Sequence, residues 1–298
     1  MHLFLKSAGF SGISNRKELN QVLDTVVKGY DEKLIAEKHQ DGAFCEFTKY
    51  FSRHCGITVC GQYDEDNKFI LEYYFPFCRG SKITTSEPVN IDRQAEKESF
   101  LGSCDDYRIG VTLIFYLQSP VSYMLWNERT HSKNWTNGLT LSALGKEGMI
   151  LLPLRKDKEA AIEEKANAKV RNEMIAAAMK GDEEALENLT IDDMDIYSMI
   201  SERIVEDDIL SIVDSTFMPY GLECDQYTVL GEILDIDSER NIYTGEEIVY
   251  LLLETNDVEL EICINRNCLL GEPAVGRRFK GSIWLQGRLG DMQRGISL

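Results

Sequence analysis

Long apolar runs are missing from this 298-residue sequence. None approaches the ~20 residues that a membrane-spanning helix requires, and the first ten residues hold too short an apolar stretch for a secretory signal. The eight cysteines are spread through apolar segments and form no dense framework, which is typical of reduced, packed thiols. We therefore expect a cytoplasmic protein with no membrane partner.

Motifs of familiar enzyme and metal-binding classes are absent as well. The sequence has no Cys-x-x-Cys pair of the kind that zinc sites use to fix two ligands. It also has no Gly-x-Ser-x-Gly elbow, phosphate-binding glycine loop or dinucleotide fingerprint, and only four histidines. We expect no metal centre and no cofactor. The sequence favours a protein without catalytic activity, although a missing motif does not exclude an enzyme.

Charge is plentiful and mostly of one sign, with a formal net charge of −18. A global acidic field disfavours nucleic acid, because phosphate binding depends on clustered Lys and Arg. We therefore do not expect a nucleic-acid partner. The charge is uneven along the chain: residues 181–215 carry twelve acids against one Arg, whereas residues 266–294 carry six bases against two acids.

The first part of the chain, residues 1–154, has the pattern of an α+β domain with an antiparallel sheet. Apolar residues recur at helical spacing between Asn15, a candidate N-cap, and Gly29, a candidate terminator. Residues 57–75 are strongly β-prone on both sides of a polar turn, which predicts a hairpin.

The rest of this part is less regular. Residues 81–103 are polar, and we expect a long loop there with one helical turn near 93–100. Residues 108–118 form the most hydrophobic predicted strand in the first half of the chain, and 139–154 are expected to form two more short strands.

Composition changes at Arg155. Residues 158–180 are rich in Ala, Glu, Lys and Met, which are good helix formers, and 191–214 continue as acidic amphipathic helices. We interpret residues 155–221 as an acidic helical connector.

Residues 222–298 have the pattern of a small all-β domain. Residues 258–264 alternate apolar and polar side chains, the period of a half-buried strand. Residues 248–253 are continuously apolar, as in a strand buried on both faces, and 279–288 alternate again. We predict an OB-like barrel or a compact antiparallel sheet.

Five distinctive segments run through the chain: Met-His-Leu-Phe-Leu-Lys-Ser-Ala-Gly-Phe at 1–10, Tyr-Tyr-Phe-Pro-Phe at 73–77, Leu-Ile-Phe-Tyr-Leu-Gln at 113–118, Asp-Ile-Leu-Ser-Ile-Val-Asp at 208–214 and Phe-Met-Pro-Tyr-Gly at 217–221. With these segments, the sequence resembles an uncharacterised family of conserved proteins, a domain of unknown function, from clostridial-type anaerobic Gram-positive bacteria. That family carries no known activity, so the resemblance implies no functional residue.

The best candidate for a binding surface is the outer face of the last predicted strand. If Ile283 and Leu285 point inward, Trp284 faces outward among polar and cationic side chains. The candidate site consists of Trp284, Lys280, Gln286, Arg288 and Arg278. Small barrels use such an aromatic with flanking cations to stack bases or hold acidic partners. Alternatively, the cations dock the acidic helices of the same chain, and Trp284 is an intramolecular contact.

Two further sets of residues are candidates for chemical sites. An enzyme in the N-terminal domain would draw on Glu46, His54, Asp105 and Asp106, and it requires a pocket that joins at least two of them. Metal ligation would draw on the acidic turn 64–67, or on His54 with cysteines 45, 55, 60 and 78. For these we favour a solvated hairpin tip and packed thiols.

Three functions remain open from the sequence. The favoured one is a cytoplasmic, non-enzymatic interaction or regulatory protein with a protein partner. The alternative is a small-ligand or nucleotide-binding protein that uses the outer face around Trp284. The second alternative is an unrecognised enzyme in the N-terminal domain. The sequence does not decide the oligomeric state.

Overall fold

A computed structural model describes residues 2–38, 42–64, 66, 68–94, 98–153 and 213–290, and only short pieces between 154 and 212, namely 170, 174–175, 177–178, 181–185 and 187–189. In these residues the helices are α1 (Arg16–Lys28) and α2 (Pro120–Thr130), with 3-10 helices at Leu3–Ala8 and Arg266–Cys268. Residues 183–185 and 187–189 are also helical. No helix in the described residues is long and apolar enough to cross a membrane.

Strands make up most of the described chain. They are β1 (Glu32–Lys38), β2 (Gly42–Tyr50), β3 (Cys55–Tyr63), β4 (Phe69–Cys78), β5 (Val89–Arg93), β6 (Phe100–Asp105), β7 (Thr112–Leu117), β8 (Asn134–Trp135), β9 (Leu139–Leu151), β10 (Thr216–Pro219), β11 (Gln226–Arg240), β12 (Glu247–Thr255), β13 (Val258–Asn265), β14 (Leu269–Leu270) and β15 (Arg278–Leu289).

The first four strands form an antiparallel sheet in the order β1-β2-β3-β4, and α1 packs against β2 and β3. The helix begins where the sequence predicts, because the Asn15 side chain accepts a hydrogen bond from the Glu18 backbone N–H at 3.0 Å. It ends at Lys28, one residue before Gly29. The predicted hairpin is also confirmed, as the pair β3 and β4.

The remaining strands form one sheet of eleven, and five of them close into a barrel. Around the barrel the order is β11, β12, β13, β9 and β15, and β11 closes the ring because it pairs with both β12 and β15. Neighbouring strands are antiparallel except β13 and β9, which are parallel. A five-stranded barrel is the architecture of OB-like folds. The predicted α+β class with a small OB-like barrel is confirmed.

Strand β9 joins the first part of the chain to the last part. It pairs with β15 along its full length, from Leu139 opposite Leu289 to Leu151 opposite Arg278. The barrel therefore takes one strand from before residue 155 and four from after residue 221. The predicted limits of the domains at 154 and 221 stay predictions, and most of the predicted helical connector lies outside the described residues.

Two hydrophobic cores result. One fills the barrel, with inward side chains such as Leu251 and Ile262, and extends under β5 to β7. The other lies between the first sheet with α1 and the outside of the barrel, where it includes Leu144, Cys263 and Trp284. One side of the barrel is thus covered by the N-terminal part of the chain.

Two local expectations were wrong. Residues 81–103 contain β5 and most of β6 rather than one long loop, because Val89 and Ile91 alternate into the core and β5 pairs with β6. Residues 95–97, in the middle of the predicted helical turn, lie outside the described residues. Residues 139–151 form one long strand rather than two short ones, since β15 pairs with their whole length.

Candidate functional site

The outer surface of β12 and β13 carries a groove made of two adjoining hollows. Their volumes are about 230 Å³ and about 250 Å³, and both are lined by Lys82, Leu252 and Glu261. Sites for whole small molecules are usually about 300–1,000 Å³. Each hollow is therefore better matched to a side chain than to a complete cofactor.

Strand alternation places polar groups on this surface. Leu251 and Leu253 point into the barrel, so Tyr250 and Leu252 point outward and are partly exposed. Residues 248–253 were predicted to be buried on both faces, and this is wrong on the groove side. On β13 the outward positions next to the groove are acidic, Glu259 and Glu261.

The centre of the groove is a row of three residues. Asp235 on β11 lies opposite Leu252 on β12, and Leu252 lies opposite Glu261 on β13. Neighbouring strand backbones lie about 4.8 Å apart, so the backbones of the two acidic residues are about 10 Å apart with Leu252 between them. The row presents two carboxylates on either side of an aliphatic floor.

Cations from outside the barrel line the edges of the groove. The Arg53 guanidinium lies 2.9 Å from an Asp237 carboxylate oxygen, and the Lys82 ammonium lies 3.3 Å from one of Glu259. All four side chains are more than half exposed, and such pairs contribute at most about 1 kcal/mol each. Arg53 and Lys82 are therefore weakly held and replaceable.

A stronger ion pair forms the wall of the smaller hollow. Arg108 lies 2.6 Å from the buried carboxylate of Asp106 and also donates to the carbonyl oxygens of Thr84 and Asp257. Burial raises the pKa of Asp106, but the Arg108 guanidinium more than offsets this and holds that pKa below its usual range. Arg108 thereby fastens three segments of the chain around the hollow.

His54 and Tyr250 meet in the larger hollow. Their rings are 5.8 Å apart in an edge-to-face arrangement, and the Tyr250 hydroxyl is hydrogen-bonded to the Ser52 hydroxyl at 2.5 Å. The aromatic wall of this hollow is therefore fixed from the first sheet.

The predicted site at the last strand is arranged differently. Ile283 and Leu285 point into the barrel, as predicted, and Trp284 lies on the opposite face. However, Trp284 is only 4% exposed, so the expectation that it faces solvent was wrong. Its indole stacks on Phe4 at 5.4 Å and donates from Nε1 to Asp225 at 2.7 Å. The N-terminal 3-10 helix covers it.

Gln286 and Arg278 are also buried rather than displayed. The Gln286 amide accepts from the Cys78 N–H at 3.1 Å and donates to the Pro76 carbonyl at 2.9 Å, which ties β15 to β4. Arg278 donates to the carbonyls of Leu152 and Val213. Both side chains join parts of the fold.

Lys280 and Arg288 are partly exposed, but they are separated along β15. Lys280 is in register with Met149, whereas Arg288 is in register with Thr140 near the other end. Eight residues of extended strand correspond to about 26 Å. The structure therefore does not bring the five predicted residues into one pocket.

The acid–base candidates are similarly scattered. Glu46 is buried under α2, Asp105 accepts a hydrogen bond from Thr112, and Asp106 is paired with Arg108. Of these candidates, His54 alone lines either hollow. The pocket that the enzyme hypothesis requires is not formed by these residues.

The metal candidates that the structure describes lie in ordinary surroundings, and Glu65 and Asn67 of the acidic turn lie outside the described residues. Asp64 accepts a hydrogen bond from the Lys68 N–H at 2.8 Å, as in a hairpin turn. Cysteines 45, 55, 60 and 78 are buried free thiols. The part of the chain that the structure describes has no group of three or more His, Cys, Asp or Glu placed to hold a metal ion.

Sequence reasoning missed the central row of the groove. A usable signal was present, because acids alternate at Asp235 and Asp237 within the predicted all-β region and at Glu259 and Glu261 on the predicted strand 258–264. The pairing of β11 and β13 with β12, which brings these stripes onto one face, is not encoded locally.

Fold and groove together define an α+β protein built on a small barrel with an acidic outer face. A family model described as "Domain of unknown function, E. rectale Gene description (DUF3881)" matches residues 5–287. The chain belongs to this family, which confirms the resemblance found in the sequence. No curated protein and no solved structure matches it significantly.

Proposed function

We propose that the protein is a cytoplasmic, non-enzymatic interaction protein whose docking face is the groove on β12 and β13. The observation that carries this proposal is the continuity of the two hollows across Leu252 and Glu261. If β11 is counted as the first strand of the barrel, the second and third strands are β12 and β13. OB-like barrels bind their ligands on the face of these two strands, and this fold-level analogy supports the proposal.

The charges of the groove support docking of a protein rather than nucleic acid. Five acids line the two hollows: Asp235, Asp237, Asp257, Glu259 and Glu261. Each lining cation, Arg53, Lys82 or Arg108, already lies in an ion pair with a carboxylate. Such a surface repels phosphate.

The alternative site around Trp284 has less support. Base stacking needs an open aromatic face, and the Trp284 indole is packed between Phe4 and Tyr116. We therefore do not propose a nucleotide site there.

The cytoplasmic location is supported by the thiols. Cys55 and Cys78 are directly opposite on β3 and β4, yet both are free, as are the other six cysteines. Free thiols at adjacent positions persist in reducing compartments.

Site-specific photo-crosslinking in cells tests the docking face. A benzophenone amino acid replaces Leu252 in the groove or, as the control, Met149 on the outer surface of β9. We expect a discrete heavier adduct from position 252 that position 149 does not give. No adduct from position 252, or the same adducts from both positions, would overturn the proposal.

A further inference from the structure

We infer that the partner inserts a Lys or Arg side chain into the centre of the groove, between Asp235 and Glu261. This inference rests on the proposed docking function and adds the chemistry of its partner. The occupant is a basic segment of another protein, and its cation lies above Leu252.

The chain's own cations show how this surface holds positive charge. Arg53 and Lys82 reach in from outside the barrel and pair with the carboxylates of Asp237 and Glu259. The row between these two pairs holds Asp235 and Glu261. Among the described residues, no cation forms an ion pair with either of them. The unmatched charge therefore lies at the middle of the groove.

Both central carboxylates are oriented by neighbouring groups. Glu261 accepts hydrogen bonds from the backbone N–H and the hydroxyl of Ser81. Asp235 accepts one from the backbone N–H of Ile236 at 2.9 Å. An ionised carboxylate has about four acceptor positions. Each group therefore retains acceptors for an ammonium or guanidinium.

The floor of the groove suits the stem of a basic side chain. Leu252 lies between the two acids and is partly exposed, so the methylenes of Lys or Arg can pack on it while the charged head meets the carboxylates. The neighbouring outward residue on β12 is Tyr250, whose ring can add a cation–π contact.

Other cations fit less well. The hollows have the size of side chains, and the described residues hold no cluster suited to a metal ion. Ca²⁺ takes six to eight oxygen ligands, whereas the row offers two carboxylates with the aliphatic Leu252 between them. A basic side chain that lies over Leu252 can pair with a carboxylate on either side.

The test uses fluorescein-labelled peptides of alternating Gly and Lys or Gly and Arg, with Gly–Gln and Gly–Glu peptides as controls. Binding to the full chain is followed by fluorescence anisotropy at low and physiological salt. We expect the basic peptides to bind, more weakly at the higher salt, and the Gln and Glu peptides not to bind. Failure of both basic peptides to bind would overturn the inference.

Variants localise the binding. The double variant Asp235→Asn/Glu261→Gln should lose at least tenfold in affinity. The control Glu147→Gln removes an exposed acid from β9, outside the groove, and should change affinity by less than about twofold. Equal losses in the two proteins would indicate non-specific attraction to net charge and contradict the inference.

One result separates the inference from the proposed function. If the photo-crosslinked adduct at position 252 persists unchanged in Asp235→Asn/Glu261→Gln, the groove is a docking face but its partner is not held by a cation. Loss of the adduct only in the double variant, and not in Glu147→Gln, supports both.

Discussion

The Glu46 carboxylate accepts a hydrogen bond from the backbone N–H of Val121 at 3.3 Å, in the first turn of α2. Ser119, the N-cap of this helix, makes no side-chain capping bond. A carboxylate from β2 thus binds a free N–H at the positive end of the helix. The contact joins the first sheet to the segment between β7 and β8.

This contact predicts a pH dependence of stability. Burial raises the pKa of Glu46 to about 7 from an ordinary 4.5, against the lowering effect of the Val121 N–H. Because the folded state holds the proton more tightly, the contribution of Glu46 to stability is full below about pH 4.5 and is lost as pH rises to about 7.

Glu46→Gln mimics the protonated acid and should remove this dependence of stability on pH. Urea unfolding of both proteins at pH 4.5 and pH 8 measures the free energy of unfolding. Between these pH values the wild type should lose on the order of 2–3 kcal/mol of this free energy relative to the variant. If the difference between the two proteins is the same at both pH values, Glu46 does not titrate in this range.

Trp284 is expected to be a stability residue. Trp284→Ala removes a buried indole from the second core and should cost about 3–5 kcal/mol in urea unfolding. Trp284→Phe retains a ring but loses the hydrogen bond to Asp225, so it should cost less. Lys280→Ala, on the same strand but partly exposed, is the control and should change stability by less than about 0.5 kcal/mol. Equal midpoints for Trp284→Ala and the wild type would contradict the packing.

Local patterns predicted the elements whose structure is set within a short stretch of chain. Asn15 begins a helix through a bond to Glu18, three residues away, and residues 258–264 alternate because one face of β13 meets the barrel interior. Patterns failed where a distant segment decides the outcome. Trp284 was expected to face solvent because nothing near it in sequence indicates that Phe4 stacks on it.

The candidate site follows the same rule. The acids that line the groove are visible in the sequence, but their convergence depends on the order β11-β12-β13 within the barrel. The barrel itself needs β9, which lies more than seventy residues before β11 in the chain. Pairing across such a separation leaves no periodic signal in either segment.

Close packing around Phe115 leads to a third prediction about stability. A Cβ atom at Gly102 or Gly287 would overlap the Phe115 ring, which lies between these two glycines. Gly102→Ala should therefore destabilise the protein by about 1–3 kcal/mol. Gly12→Ala is the control, since a Cβ there meets nothing within 4 Å. Thermal unfolding compares the two variants. The substitution Phe115→Leu, which replaces the ring by a smaller side chain, should reduce the effect of Gly102→Ala. Purely additive effects would show that the overlap is not the cause.

The hydrogen bonds of Arg278 lead to a prediction about the removal of residues 154–212, which connect the two parts of the barrel. Its guanidinium donates to the carbonyls of Leu152 at 3.1 Å and Val213 at 3.0 Å, so the chain leaves and returns at one point. A four-residue Gly-Ser linker reaches about 13 Å, which is enough to replace residues 154–212. We expect the shortened chain to keep cooperative unfolding, because the Arg278 guanidinium still holds the carbonyls of Leu152 and Val213 on either side of the linker. Adding Arg278→Met to the shortened chain should lower its stability, since both carbonyls then lose their donor. If the shortened chain loses its cooperative transition, the β-framework depends on residues 154–212 and this view of Arg278 is wrong.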